Sequence, residues 1–253
     1  MELFDSHAHY NDEKFDQDRE EVISEIYNSG VTRIVCAGYN IESSKQAIKI
    51  AEKYDYIYCT VGISPNDMED YSVDNLKILE ELAKHKKVVA IGEIGLDYYW
   101  NKENKELQKE VFIKQIEIAN KINKPIVIHT REAVQDTINV LKDNMVNKKG
   151  VFHCCPLNPE LIKEGIKLGY YISFSGNVTF KNAKSERAIK EVPLDKILIE
   201  TDSPYLSPEP MRGKRNDSRN VKFVASKIAD ILELNVTDIA AKTYNNANTI
   251  FEI

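Results

Sequence analysis

Eight times along this chain a short apolar run is followed by a stretch of helical periodicity, and no other feature narrows the possible folds as far. The runs are Leu3 to Phe4, Thr32 to Gly38, Tyr56 to Ile63, Val88 to Gly95, Pro125 to His129, Gly150 to Cys154, Tyr170 to Phe174 and Lys196 to Thr201. Helices are predicted after them at Asp18 to Asn28, Ser43 to Tyr54, Asp74 to His85, Glu106 to Asn123, Val134 to Asn144, Pro159 to Leu168, Ser185 to Glu191 and Val221 to Leu232. In the first of these, Val22, Ile23, Ile26 and Tyr27 recur at helical spacing and Gly30 follows as a stop signal. Nearly continuous runs of Val and Ile are what parallel strands covered on both faces require, since a sheet with one wet face would alternate apolar and polar residues. Eight such units in 253 residues predict an α/β fold of the (β/α)8 TIM-barrel type, which takes about 250 residues. A doubly wound open sheet is the structural alternative, because strand count alone does not prove closure. With no linker, low-complexity stretch or close repeat, residues 1–253 read as a single domain, and Asp238 to Thr249 as an additional C-terminal helix.

Composition matters mainly for what it excludes. A formal net charge of -6 argues against a surface coated in basic residues for nonspecific nucleic-acid binding, so any such contact must be a local patch. The opening Met1-Glu2-Leu3-Phe4-Asp5 lacks the basic and apolar regions of a secretory signal, and no apolar run approaches the ~20 residues of a membrane span. A cytoplasmic protein without membrane contact or an obligate protein partner is expected. Of the four cysteines, Cys36, Cys59 and Cys154 fall in the apolar runs and Cys155 follows the last. None forms a C-x-x-C pair, and all four read as small buried residues with free thiols.

In a barrel, reactive groups come from the C-terminal ends of the strands, where the loops share one mouth. His7 and His9 end the first run, Glu93 the fourth, His129 the fifth, His153 the sixth and Asp202 the eighth. Four of the five histidines are in this set, whereas His85 sits in Lys84-His85-Lys86-Lys87 and reads as a solvated residue. Each member alone has an ordinary explanation: an ion pair for Glu93, a core position for His129, a turn cap for Asp202. Together they do not, because unpaired carboxylates and imidazoles gathered at one mouth are costly to desolvate and cations would satisfy them all. Four imidazoles and two carboxylates exceed the needs of one tetrahedral ion, so two divalent ions are expected.

These residues lie in segments that resemble the TatD-like metal-dependent deoxyribonucleases of the amidohydrolase superfamily. The segments are Asp5-Ser6-His7-Ala8-His9, Gly92-Glu93-Ile94-Gly95-Leu96-Asp97-Tyr98, His129-Thr130-Arg131, His153-Cys154, Ser173-Phe174-Ser175-Gly176, Glu200-Thr201-Asp202-Ser203-Pro204-Tyr205-Leu206 and Arg212-Gly213-Lys214-Arg215-Asn216. They occur in the family's order over nearly the whole chain. The resemblance implies a (β/α)8 barrel with His7, His9 and Asp202 on one ion, His129 and His153 on the other, and Glu93 bridging. It also implies hydrolysis of DNA phosphodiester bonds by a metal-activated water, as a 3' to 5' exonuclease on single strands. Related barrels that cleave amides or lactones often carry a carboxylated lysine at the bridge, and Glu93 in that position favours the nuclease branch. The chain departs from the family at Gly62-Ile63-Ser64-Pro65-Asn66, where two histidines are common and Ser64 and Asn66 stand instead.

The catalytic pair is therefore Asp202, accepting the proton of the attacking water, and Glu93. Asp5 is a candidate acceptor behind the His7 ring, with capping as the alternative. Substrate contacts are sought at Arg131, which either grips phosphate or pairs with Glu132 or Glu93, and in the basic run Arg212, Lys214 and Arg215. Tyr98, Tyr99 and Trp100 offer rings for base stacking, and the resemblance implies substrate-phosphate or leaving-group contacts at the positions of Ser64 and Asn66. Histidine ligation suits Zn, Mn, Co or Ni, while phosphate chemistry often uses Mg. A hydrolase of a small amide, ester or lactone is the alternative enzyme, and a metal-binding protein without turnover the third reading.

Overall fold

The computed structural model describes residues 1–253. Eight parallel strands lie in the order in which they occur, and each is followed by a helix packed outside. They are β1 (Leu3–Ala8), β2 (Val31–Ala37), β3 (Ile57–Val61), β4 (Val88–Asp97), β5 (Ile126–Arg131), β6 (Gly150–Phe152), β7 (Tyr171–Phe174) and β8 (Ile197–Ile199). The matching helices are α1 (Arg19–Asn28), α2 (Ile41–Lys53), α3 (Val73–Leu82), α4 (Lys105–Ile122), α5 (Val134–Asp143), α6 (Pro159–Lys167), α7 (Ser185–Lys190) and α8 (Val221–Leu232), with α9 (Val236–Phe251) last. The barrel rather than the open sheet is the outcome.

Element ends moved where polar residues found partners. The first strand runs past the apolar Leu3–Phe4 pair to Ala8, burying Asp5, Ser6 and His7. Helix α2 starts two residues before Ser43 because the Asn40 side chain accepts from the Ser43 N–H while Ser43 Oγ accepts from the Asn40 N–H, a reciprocal cap. Strand β6 ends at Phe152, so Cys154 lies beyond the strand, with φ at 39°.

Closure is the point at which sequence patterning has least to say. Strand β8 is three residues long, and the β8–β1 seam holds only one strand bridge, Ala8 to Ser203. Backbone bonds from Asp202 N to His7 O (2.9 Å) and from His9 N to Ser203 O (2.6 Å) join the two segments just past β8. Side chains supply the rest. Ser6 Oγ donates to the Ile199 carbonyl at 3.0 Å, and Asp5 accepts from Thr201 N at 2.9 Å and from the hydroxyls of Thr201 and Ser218 at 2.5 Å each. The buried polar start of the chain is therefore the barrel's fastening.

The core has two parts. The larger lies between the sheet and the surrounding helices. The smaller joins Phe4, Val35, Val127, Val151 and Leu198 from five different strands, which can meet only inside the barrel, to Ala247, Ile250 and Phe251 of α9. The additional helix is thus the floor of the barrel, with the Phe251 ring 6.1 Å from that of Phe4. A packed floor leaves one open end, the mouth.

Candidate metal centre

The strand ends bring all six expected donors to one point. His7 Nε2 and His9 Nε2 are 3.1 Å apart, and His129 Nδ1 and His153 Nε2 are 3.3 Å apart. Glu93 stands between the pairs with one oxygen for each. Its Oε2 is 3.6 Å from His7 Nε2 and 3.7 Å from His9 Nε2, and its Oε1 is 2.7 Å from His129 Nδ1 and 3.3 Å from His153 Nε2. Asp202 Oδ1 lies 3.3 Å from His9 Nε2 and 3.8 Å from His7 Nε2. Three triads in this set, His7–His9–Glu93, Glu93–His129–His153 and His7–His153–Asp202, have donor atoms close enough together to share an ion.

The rings are presented in the form a cation needs. His9 Nδ1 is 3.1 Å from the Ala37 carbonyl, which can only accept, so that nitrogen carries the proton and Nε2 faces the cluster with its lone pair. His129 is turned the other way: Nε2 donates to Asp97 Oδ2 at 2.9 Å and Nδ1 faces Glu93. Behind His153, Glu200 Oε1 is 3.4 Å from Nδ1. Acceptors behind ligand rings are how proteins orient imidazoles toward metals. The donor set therefore fits divalent ions, and it does so on geometry.

Electrostatics agree. Burial works against the Glu93 anion, but the charge of His153 and hydrogen bonds from His129, His153 and His7 hold its carboxyl well below the usual carboxylate range. Burial and the charge of His153 push His7 down. Burial also opposes protonation of His153, yet Glu93 and Glu200 together hold it well above the usual imidazole value.

Above the cluster is a cavity of about 860 Å³, with Ser64, Asn66, Trp100 and Arg131 among its lining residues. Arg131 pairs with neither Glu132 nor Glu93. Its guanidinium is 3.8 Å from the Tyr99 ring centroid and 5.4 Å from that of Trp100, with no carboxylate in ion-pair reach. Asn66 Nδ2 donates to Asp97 Oδ2 at 3.3 Å, and Ser64 Oγ accepts from Asn66 N at 3.1 Å. Cys154 also lines the cavity, so one of the thiols read as buried faces the mouth.

Several expected contacts are elsewhere. Tyr98 is 7% exposed and its hydroxyl donates to Asp136 at 2.7 Å, so its ring cannot stack on a base, whereas Trp100 is 65% exposed. Arg215 forms a fork on Asp18 at 2.9 and 2.5 Å, Arg212 lies over the Phe180 ring at 3.9 Å, and neither they nor Lys214 line the cavity. Asp5 reaches no imidazole ring. It accepts from the backbone N–H of His7 at 3.4 Å and spends its other contacts on the barrel seam, which makes its place structural. His85 is remote from the cluster, on Glu52 at 3.2 Å.

The acceptors that do stand behind the rings, Asp97 and Glu200, were not singled out by sequence reasoning. Both had a signal: each is an acid at the end of a strand run, four residues after Glu93 in one case and two before Asp202 in the other. Gly95 adds a backbone requirement. Its φ is 142°, and a Cβ there would fall 2.0 Å from the His129 carbonyl, so only glycine lets β4 approach β5 this closely beside the His129 ring.

The sequence pattern of the family described as TatD related DNase matches residues 4–252. The chain is 45% identical over 253 residues to an uncharacterised metal-dependent hydrolase, YabD, of Bacillus subtilis, covering 99% of each. It is 31% identical over 258 residues to the 3'-5' ssDNA/RNA exonuclease TatD of Escherichia fergusonii, again covering 99% of each. Among solved structures it is similar to YJJV, a TatD homologue from Escherichia coli, with a TM-score of 0.94 at 26% identity, covering 99% of this chain and 98% of that one. The match along nearly the whole sequence and the shared fold carry one conclusion: the chain belongs to the TatD related DNase family.

Proposed function

We propose that residues 1–253 act as one metal-dependent nuclease barrel that hydrolyses phosphodiester bonds of DNA from the end of a single strand, in the 3' to 5' direction. The observation that carries this reading is the Glu93 carboxylate, with one oxygen toward each pair of imidazoles, beneath a cavity whose one guanidinium, Arg131, is unpaired. His7, His9 and Asp202 would hold one divalent ion, His129 and His153 a second, and Glu93 would be shared. Such ions, when bound, supply Lewis acidity, drawing charge from a phosphoryl oxygen and lowering the pKa of water toward neutrality.

The side chains do the rest. Burial opposes ionisation of Asp202, but the hydrogen bond of His9 and the charges of His153, His9 and His7 hold its carboxyl low, so it is an anion able to take a proton from attacking water. Asp97 keeps the His129 ring aimed inward, the Glu200 carboxylate lies 3.4 Å behind His153 while accepting from Cys154 N, and Arg131 offers a planar fork to a phosphate oxygen. A relative named as a 3'-5' exonuclease on single-stranded DNA and RNA supports both the substrate class and the direction. Glu93, where a lysine would stand in the amide- and lactone-cleaving branch, weighs the same way.

The test is nucleotide release. Protein stripped of metal and reloaded in turn with Mg, Mn, Zn, Co or Ni is given single-stranded DNA, with RNA alongside. Mononucleotides should leave from the 3' end with at least one ion, and the activity should vanish in Glu93→Ala. Hydrolysis of a small amide or lactone, with no nucleotide release under any ion, would replace this reading by that of an amidohydrolase.

A further inference from the structure

The cavity over the metal centre carries charge of opposite sign on its two sides. Over β4 and β5 stands Arg131, with Trp100 and Tyr99 as its stacking partners. Over β1 to β3 stand Asp12, Tyr39 and Asp67, with Tyr205 closing the side from the loop after β8. In a ring of eight strands β1 and β5 face each other, so Asp12 and Arg131 look across the metal cluster. Neither side is neutralised from within. Asp12 Oδ2 accepts only the Tyr205 hydroxyl at 2.7 Å, its Oδ1 only the Lys14 N–H at 2.8 Å, and Asp67 accepts from Asn40 Nδ2 at 3.0 Å. Asp12 and Asp67 have no Lys or Arg in ion-pair reach, since Arg19 pairs with Asp16 and Arg215 with Asp18, and Arg131 has no carboxylate in reach. Lys14 has its ammonium 4.1 Å over the Tyr205 ring and is not part of the lining.

A nucleic-acid strand end is asymmetric in the same sense. On one side of the terminal phosphodiester the strand goes on, with a phosphate at every nucleotide, and on the other is one nucleoside whose far end is either a neutral hydroxyl or a phosphate. We infer that the mouth sorts strand ends by charge: Trp100 and Arg131 hold the continuing strand, the wall of Asp12, Tyr39 and Asp67 receives the terminal nucleoside, and an end bearing phosphate is refused. This rests on the nuclease reading above and adds to it the chemical form of the end.

The physics has two parts. A base stacked on an exposed indole beside a guanidinium gains the sequence-tolerant energy typical of single-strand binders. On the far side, two carboxylates accept hydrogen bonds from a terminal hydroxyl, whereas a phosphate brought against them meets like charge. The chemistry closes the cycle. In the hydrolysis, the oxygen of water joins phosphorus, the bond from phosphorus to O3' of the shortened strand breaks, and that O3' takes the proton that water gives up. The products are a nucleoside 5'-monophosphate and a strand with a new 3'-hydroxyl, which the acidic wall again accepts.

The test compares two single-stranded oligonucleotides that differ only in a 3'-hydroxyl or a 3'-phosphate, with bis(4-nitrophenyl) phosphate as a small diester, using metal-loaded full-length protein. Wild type should favour the hydroxyl end by about tenfold or more in kcat/KM. Asp67→Asn, which keeps the shape and the Asn40 contact, should shrink that ratio toward one by raising cleavage of the phosphate end. Trp100→Ala, at an exposed position with little bearing on folding, should lower kcat/KM for the hydroxyl-ended strand about tenfold relative to the small diester. Equal rates on the two ends in wild type, or a ratio that Asp67→Asn does not move, would overturn the sorting, and an unmoved oligonucleotide-to-diester ratio in Trp100→Ala would overturn the stacking shelf. Cleavage of the small diester with neither oligonucleotide attacked would overturn the nuclease reading itself.

Discussion

At the scale of single residues, Glu93 divides four imidazoles between its two oxygens, and Asp97 decides which nitrogen of His129 faces it. Removing a shared carboxylate takes away both charge and spacing. Glu93→Ala should therefore retain one ion or fewer by elemental analysis and lose hydrolysis, while His85→Ala, on the far loop, should keep both. Two ions retained in the Glu93 variant would take Glu93 out of the shared position. Asp97→Asn keeps the shape but weakens the acceptor behind the ring, and a metal affinity about ten- to a hundredfold lower is expected from a change of this kind. Competition with a chromogenic chelator measures it, and unchanged affinity would mean that β4 and Gly95 alone hold the His129 ring. Asn66, where the resemblance leads one to expect a histidine, donates to Asp97 Oδ2, so this part of the rim braces the cluster.

Among elements, the seam between β8 and β1 is the one most exposed to mutation. Three residues of β8 cannot form a long ladder, and Asp5 makes up the difference by taking three donors at once. Asp5→Ala leaves the Thr201 N–H and two hydroxyls without an acceptor inside the protein, at a cost of about 3 kcal/mol. Urea unfolding should read that loss, and a change below about 1 kcal/mol would show that water or a shifted backbone closes the seam. The loop after β8 makes the opposite case. Arg215 is occupied by Asp18, and the run from Arg212 to Arg215 lies outside the cavity. Replacing Lys214 and Arg215 by Ala should thus leave the salt dependence of DNA binding parallel to wild type, and cost no more than about 1 kcal/mol of stability from an exposed pair. A log-log slope shallower by about 0.7 per lost contact would put these side chains on the strand after all.

For the whole molecule, candidate ligands drawn from β1, β4 and β5 and from the segments just past β6 and β8 mean that ions at the mouth would tie five of the eight strands together. Binding to the folded chain alone stabilises it by mass action, by about 4 kcal/mol when the free ion is at a thousandfold its Kd. A chelator should lower Tm, and adding back the ion should restore it. An unchanged Tm would show that the β8–β1 bonds and the α9 floor already hold the barrel as firmly as it can be held. No helix is long and apolar enough to cross a membrane.

Features that depend on neighbours along the chain were legible before folding. Strand and helix periodicity, eight times over, led to the barrel, and acids and imidazoles at the ends of those runs led to His7, His9, Glu93, His129, His153 and Asp202. Both signals are local, because a strand's end and its polar residue are adjacent in the chain. The seam, the floor and the rim depend on groups far apart in sequence. Asp5 meets Thr201 and Ser218 only once the first and last strands are side by side. Phe251 reaches Phe4 only once the barrel has closed and α9 has packed on its floor. Tyr98 and Trp100, two residues apart in one aromatic run, went to opposite fates because Asp136 of α5 was there to bind the first hydroxyl, while the second ring, with only Tyr99 and Arg131 against it, stays largely exposed. Arg215 looked free in a basic run until folding brought Asp18 to it. Charge pattern and periodicity name the donors, but which acceptor stands behind each donor is a matter of packing, and packing alone decided the sidedness of the mouth.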